Sequence, residues 1–197
     1  MPIAVIGTGF IGGTLGRAFA RAGLPTVFGS RTPAQDTAAQ DSGATVTSVP
    51  DAVAKADIVL MALPAAAVED FLTANAAALA GKLVIDAANN MAGPVAHHAR
   101  AVATHAPTAR YARAFNTLGG ENFAAPDFAG TPADLFYSCH PDDRATLDEL
   151  IRTVGLRPMY LGDNHQDTVD GVLRLWFALA VDQGRGRHLA FHTLTRT

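Results

Sequence analysis

The stretch IAVIGTGFIGGTLGRAFARAG, residues Ile3 to Gly23, decides the fold. Four apolar residues, Ile3 to Ile6, read as a buried strand, and Leu15, Phe19 and Ala22 then recur at helical spacing. Between them lies Gly7-Thr8-Gly9-Phe10-Ile11-Gly12. Where a strand turns directly into a helix, the first glycine of such a loop permits the tight turn. The second lets backbone approach a diphosphate, and the third allows close helix–strand packing. The six residues Gly7, Thr8, Gly9, Phe10, Ile11 and Gly12 are therefore expected to hold a dinucleotide at a helix N-terminus, where N–H groups and the helix dipole favour an anion.

Further along the chain, short apolar runs alternate with Ala-rich, helix-compatible segments. Ile3–Ile6, Thr26–Phe28, Ala44–Thr47, Ile58–Leu63, Leu83–Asp86, Arg110–Phe115 and Leu135–Ser138 read as strands, with a last one near Met159–Leu161. Strands joined by helical crossovers imply a mostly parallel sheet with both faces covered. The expectation is an α/β, Rossmann-type, doubly wound fold over residues 1–162, with a small C-terminal helical appendage over 163–197. Helices are expected over Ala65–Ala80, after Pro141, and over His165–Gln183, while Gly119–Pro132 reads as a long loop. Apolar residues from Val172 to Val181 cover most of the circumference of the last helix, which predicts burial against the sheet or a second copy. A homodimer is expected.

Composition excludes several classes. The 197 residues are 49% hydrophobic with a formal charge of −3, so a real core is available and no basic footprint for nucleic acid stands out. A single cysteine, Cys139, rules out an intramolecular disulfide. No apolar run approaches the ~20 residues of a membrane span. Met1 leads straight into a strand without a basic region and short apolar segment, so a cytoplasmic protein without membrane attachment is expected.

The end of the second strand bears on cofactor choice. NAD sites commonly place an acid about twenty residues past the glycines, on the ribose 2′-hydroxyl, whereas a nearby Arg suits a 2′-phosphate. Here Gly29-Ser30-Arg31 carries no acid. Arg31 can clamp phosphate and Ser30 can add a hydroxyl, and one charge-assisted bond is worth about 1.5–3 kcal/mol. NADP(H) is the expected cofactor. At the other strand ends stand Leu63-Pro64, Ala87-Ala88-Asn89-Asn90 and Asn116-Thr117-Leu118. None is an obvious acid, base or nucleophile. That poverty suits hydride transfer between two aligned rings better than hydrolysis. His97 and His98 lack acidic partners at ligand spacing, so no metal is expected. Cys139 beside His140 reads as a buried structural thiol, and Asp86 as a turn or cap residue.

As a set, IGTGFIGGTLGRAFARAG, GSR, ALP, DAANN, ARAFNTLGGENF, DLFYSCHPDDRATLDELIRTVGLRP and the Trp-containing last helix resemble the F420:NADP oxidoreductase family. The resemblance implies NADPH on the Gly7–Gly12 loop, with Thr8, Ser30 and Arg31 around the 2′-phosphate. Leu63 and Pro64 would border the nicotinamide, and Asn89 would line the cofactor site. Asn116, Thr117 and Leu118 would line the face where hydride passes to a small-molecule acceptor, coenzyme F420 or a similar flavin- or quinone-like ring. Gly120 stands where relatives often carry an aromatic. Two other readings accompany this one: an NADPH-dependent reductase of an imine or ketone, and an NADP(H)-binding sensor without catalysis.

Overall fold

In the computed structural model, which describes residues 1–39 and 42–196, the glycine-rich loop lies between β1 (Ile3–Ile6) and α1 (Phe10–Arg21). There follow β2 (Thr26–Ser30), β3 (Thr45–Ser48), α2 (Val49–Lys55), β4 (Ile58–Met61), α3 (Val68–Asn75), β5 (Leu83–Asp86), α4 (Ala99–His105) and β6 (Arg110–Arg113). Next come α5 (Glu121–Ala124), β7 (Asp127–Phe128), β8 (Thr131–Pro132), β9 (Asp134–Cys139), α6 (Arg144–Thr153), β10 (Arg157–Tyr160) and α7 (Gln166–Phe177). Eight strands form one sheet in the order β10-β9-β6-β5-β4-β1-β2-β3, while β7 and β8 make a small hairpin within the segment expected to be a loop.

Strand order reverses between β1 and β4. The chain winds outward from β1 through β2 to β3, then crosses back to β4 on the other side of β1. Such a switch point opens a crevice beyond the C-terminal strand ends, and Gly7 and Leu63 both lie there.

Residues alternate between two cores, as the twofold period of a strand requires. Ile3, Val5, Ile58, Leu60, Leu83 and Ile85 join Leu15 and Phe19 of α1 and Leu147 and Ile151 of α6. Ala4, Ile6, Val59, Met61 and Val84 join Val53 of α2, Val68 and Leu72 of α3, and Val102 of α4. Each fully buried large aliphatic contributes about 1.5–3 kcal/mol.

Several boundaries differ from the sequence reading. β6 stops at Arg113 because Phe115 has φ of +66°, a left-handed conformation that turns the chain out of the strand. β4 ends at Met61, and the segment 65–80 divides into a 3₁₀ turn (Ala65–Ala67), α3 and a second 3₁₀ turn (Ala77–Leu79).

β9 runs antiparallel to β6, and β10, parallel to β9, shares its direction. β9 pairs with β6 through Ala112 opposite Cys139 and Arg113 opposite Ser138, so Asp134–Tyr137 overhang the end of β6. β10 extends that wall as an edge strand, where Pro158 costs no ladder bond. α7 packs on β9 and β6 and ends in a π-helical turn, Ala178–Asp182. The following tail is tied down by Trp176 Nε1 donating to Leu189 O (2.7 Å), Asn122 Nδ2 to Arg187 O (3.1 Å), and Asp134 N to Phe191 O (2.8 Å). Full burial of α7 is not found within one chain. Val169, Leu173 and Trp176 face inward, but Leu175 and Val181 are 51% and 50% exposed. Among the described residues no helix is long and apolar enough to cross a membrane.

Candidate active site

The glycine loop has the geometry its spacing predicts. Gly7 has φ of +101°, and a Cβ there would lie 2.3 Å from Ala62 O; a Cβ on Gly12 would lie 1.9 Å from Gly7 O. Gly9 opens onto free space, with nothing within 4 Å of a would-be Cβ. It also starts α1 without a side-chain cap or an acid in the first turn, so helix N–H groups are left for a ligand. Phe10 is 57% exposed beside the loop. Gly120 packs so tightly on Phe10 and Ile11 that a Cβ would approach Ile11 Cδ1 to 2.4 Å. An aromatic at 120 therefore requires Phe10 and Ile11 to move.

At the end of β2, Ser30 is buried and Arg31 exposed. The expectation that no acid stands here needs correction. The 3₁₀ turn Pro33–Gln35 folds the chain back, and Asp36 Oδ2 accepts a hydrogen bond from Thr8 Oγ1 at 2.6 Å. Partial burial pushes the Asp36 carboxyl up, but the Thr8 and Ser30 hydroxyls and the Ala38 N–H outweigh that and hold it below the usual carboxylate range.

At the far end of the crevice, Leu63 is half-buried, Pro64 is exposed, and Asn116, Thr117 and Leu118 are buried. Beneath them lies a charged network that the sequence reading missed. Arg113 is fully buried. Its Nε and Nη2 donate to Asp170 Oδ1 (3.0 and 2.7 Å), Nη1 to Ala88 O (2.5 Å), and Nη2 to Asn89 Oδ1 (2.8 Å). Its Nη1 also lies 3.4 Å from Asp86 Oδ2. Asn116 Nδ2 donates to the same Asn89 oxygen at 3.0 Å.

This chain of donors fixes both amides. Arg113 can only donate, so Asn89 presents oxygen to it; Asn116 must then present nitrogen to Asn89. The Asn116 carbonyl oxygen is left buried without a partner, as is Thr117 Oγ1. Farther along the same loop, Glu121 Oε2 and Asn122 Oδ1 are likewise buried and unpartnered. Spare accepting capacity is thus concentrated between Asn116 and Asn122, next to the left-handed Phe115. Backbone in such a conformation is often stored at functional sites.

The ionisable groups nearby are committed. Burial pushes Asp86 up, but His98 and Arg113 more than offset it and keep the carboxyl below its usual range. Asp86 also accepts from Ala88 N and His98 N, consistent with a turn and cap role. Tyr111 is held protonated by burial and by Asp86, to which its hydroxyl donates at 2.9 Å. A hydrogen bond from Arg187 lowers Glu121. His97, Asp167 and Asp170 bring ligand-type atoms within 4.8 Å of one another, an arrangement hidden by their separation in sequence. Asp170 is already saturated, with Oδ1 on Arg113 and Oδ2 accepting from Ala96 N and His97 N at 2.9 Å each. His165 is exposed at the start of α7, away from Gly119, beside which the other end of the helix places Trp176. A groove of about 540 Å³ between α4, β6 and β9 is lined in part by Cys139 and His140. Burial pushes the Cys139 thiol to about 12, which removes it as a nucleophile at neutral pH.

Residues 2–90 match the family model described as NADP oxidoreductase coenzyme F420-dependent. A candidate F420-dependent NADP-reductase from Arthrobacter sp. FB24 superposes with a TM-score of 0.83 at 25% identity, over 98% of this chain and 99% of that one. The N-terminal part of this chain thus matches the F420-dependent NADP oxidoreductase family, and the likeness to the Arthrobacter protein runs over the whole chain. A hypothetical protein from Sinorhizobium meliloti is 30% identical over 83% of this chain and 85% of that one, with a TM-score of 0.72. The fold is shared more distantly with a reductive aminase from Aspergillus terreus in complex with NADPH and ethyl-5-oxohexanoate, at 24% identity and a TM-score of 0.72. There the match spans 93% of this chain but 62% of the aminase. The chain is an NADP-dependent oxidoreductase. The residues fit that cofactor at the glycine loop, where Gly9 leaves open space and the start of α1 leaves uncapped N–H groups.

Proposed function

We propose that this oxidoreductase reduces a small C=N compound, taken up as its iminium cation, with NADPH as hydride donor. The observation that carries the reading is the proton inventory of the site. Asp86 and Asp170 are paired with Arg113, Glu121 with Arg187, and the Tyr111 proton is committed to Asp86. Among the described residues the carboxylate nearest Asn116–Leu118 is Glu121, held as the anion by Arg187 on Oε1 and so an acceptor rather than a proton donor at its unpartnered Oε2. A neutral ketone or deazaflavin gains negative charge with the hydride and needs a proton to balance it. An iminium needs the hydride alone, and the product amine is neutral. The unpartnered oxygens of Asn116 and Thr117 are acceptors for a cationic N–H donor.

Bound NADPH supplies the hydride; the chain's residues hold and orient. Gly7–Gly12 and the start of α1 take the diphosphate, Ser30 and Arg31 the adenosine phosphate end, and Leu63 and Pro64 border the nicotinamide. Arg113 and Asn89 position Asn116, and the C-terminal segment up to residue 196 closes the crevice against water. The exposed Leu175 and Val181 are where a second copy would pack. The likeness to a reductive aminase leans toward this substrate class, although at its identity it speaks for the fold. Hydride transfer to coenzyme F420, which the sequence resemblance puts first, is the second reading, favoured by the family and by the Arthrobacter protein.

NADPH oxidation followed at neutral pH with a panel of cyclic imine, ketone, deazaflavin, flavin and quinone separates them. The expected result is turnover with the imine at least about tenfold above every other acceptor, one order in rate being about 1.4 kcal/mol of barrier. Turnover with deazaflavin alone would return the assignment to F420.

A further inference from the structure

The adenosine end holds a group that the family resemblance does not call for. Asp36 lies past the end of β2, and the turn that brings it back is well made: Gln35 N donates to Thr32 O (3.0 Å) and Asp36 N to Pro33 O (3.3 Å). Arg17 on α1 fastens the same segment through Ala38 O at 3.2 Å, while Ala38 N donates to Asp36 Oδ1 at 2.9 Å. Asp36 is thereby fixed, yet only half-buried and open to a ligand.

Its partner is one of the two hydroxyls expected to serve a 2′-phosphate. A threonine or serine hydroxyl has one proton to give. Thr8 gives its proton to Asp36 at 2.6 Å, while the Ser30 hydroxyl oxygen accepts from Thr32 N at 3.2 Å. A 2′-phosphate offers only acceptor oxygens and meets a negative charge here. A 2′-hydroxyl can donate to that charge. Arg31, exposed and without an ion pair among the described residues, pulls the other way.

We propose that Asp36 determines cofactor specificity by opposing Arg31, so that the protein accepts NADH alongside NADPH rather than excluding it. This rests on the adenosine end lying at Ser30 and Arg31. The test is the ratio of dissociation constants for NADPH and NADH, measured by titration calorimetry on wild type, Asp36→Asn, Asp36→Ser and Arg31→Ala.

Wild type is expected to bind the two within about tenfold of each other. Either neutral substitution at 36 should move the ratio toward NADPH by about tenfold, the scale of one unit charge at close range in a partly solvated site. NADH should weaken or stay unchanged. Arg31→Ala should weaken NADPH selectively. Folded Asp36 variants whose ratio stays within twofold of wild type would overturn the proposal. Unchanged NADPH affinity in Arg31→Ala would instead displace the adenosine end from this position and remove the proposal's footing.

Discussion

Arg113→Met is expected to destabilise the protein by about 3–5 kcal/mol, because it strands two buried carboxylates without their cation. Arg113 and Asp86 are fully buried and Asp170 nearly so. Melting should fall by about 10 °C or more at neutral pH. The pH dependence identifies the cause. In the wild type the Asp86 carboxyl is held below its ordinary value of 3.8, chiefly by His98 and Arg113 against the upward push of burial. Its contribution to stability is therefore complete above that value and is lost as pH falls through the lower folded one. In Arg113→Met the buried Asp86 carboxyl loses that cation while the upward push of burial remains, so acid relieves it. The stability gap between variant and wild type should narrow as pH is lowered below 3.8. A gap that is constant in urea titrations across that range would mean that Arg113 matters for its volume rather than its charge.

Asn116→Leu is expected to lower kcat/KM for an iminium that carries an N–H by about 10–10², the worth of one hydrogen bond to a charged group, and to do so chiefly through KM, because the charge that the bond meets fades as the hydride arrives. NADPH affinity should change less than about threefold, and stability by about 1 kcal/mol, the net value of the single bond to Asn89. Asn116→Asp retains an acceptor oxygen and should recover part of the rate. If Asn116→Leu weakens NADPH binding in proportion to the rate, the amide serves the cofactor's carboxamide and not the acceptor.

What could be read in the sequence was whatever depends on neighbours along the chain. The Gly7–Gly12 loop carries its own strand, turn and helix, and the alternation of apolar runs with helical crossovers dictates a doubly wound sheet. What escaped depends on distant pairs. Asp170 meets Arg113 across 57 positions, and nothing around either residue announces the other. Asp36 reaches Thr8 only because a 3₁₀ turn reverses the chain after Arg31. The direction of β9 is set by its pairing with Arg113 and Ala112, which a hydrophobic run does not encode. Phe115 looks like any strand aromatic until its φ turns the next three residues across the sheet's end. For α7, apolar residues around the circumference predicted burial, yet one flank remains uncovered in a single chain.

The central claim is that the proton deficit of the site selects an acceptor that already carries positive charge. A cyclic N-alkyl iminium isolates that claim, because it stays charged from about pH 6 to 9 and, having no N–H to donate, is drawn to the Asn116 and Thr117 oxygens by its charge alone: kcat/KM for its reduction by NADPH should be flat over that range, with no ionisation belonging to the enzyme. A rate that falls with rising pH on this substrate, or no turnover of it by a preparation that reduces a deazaflavin, would contradict the account.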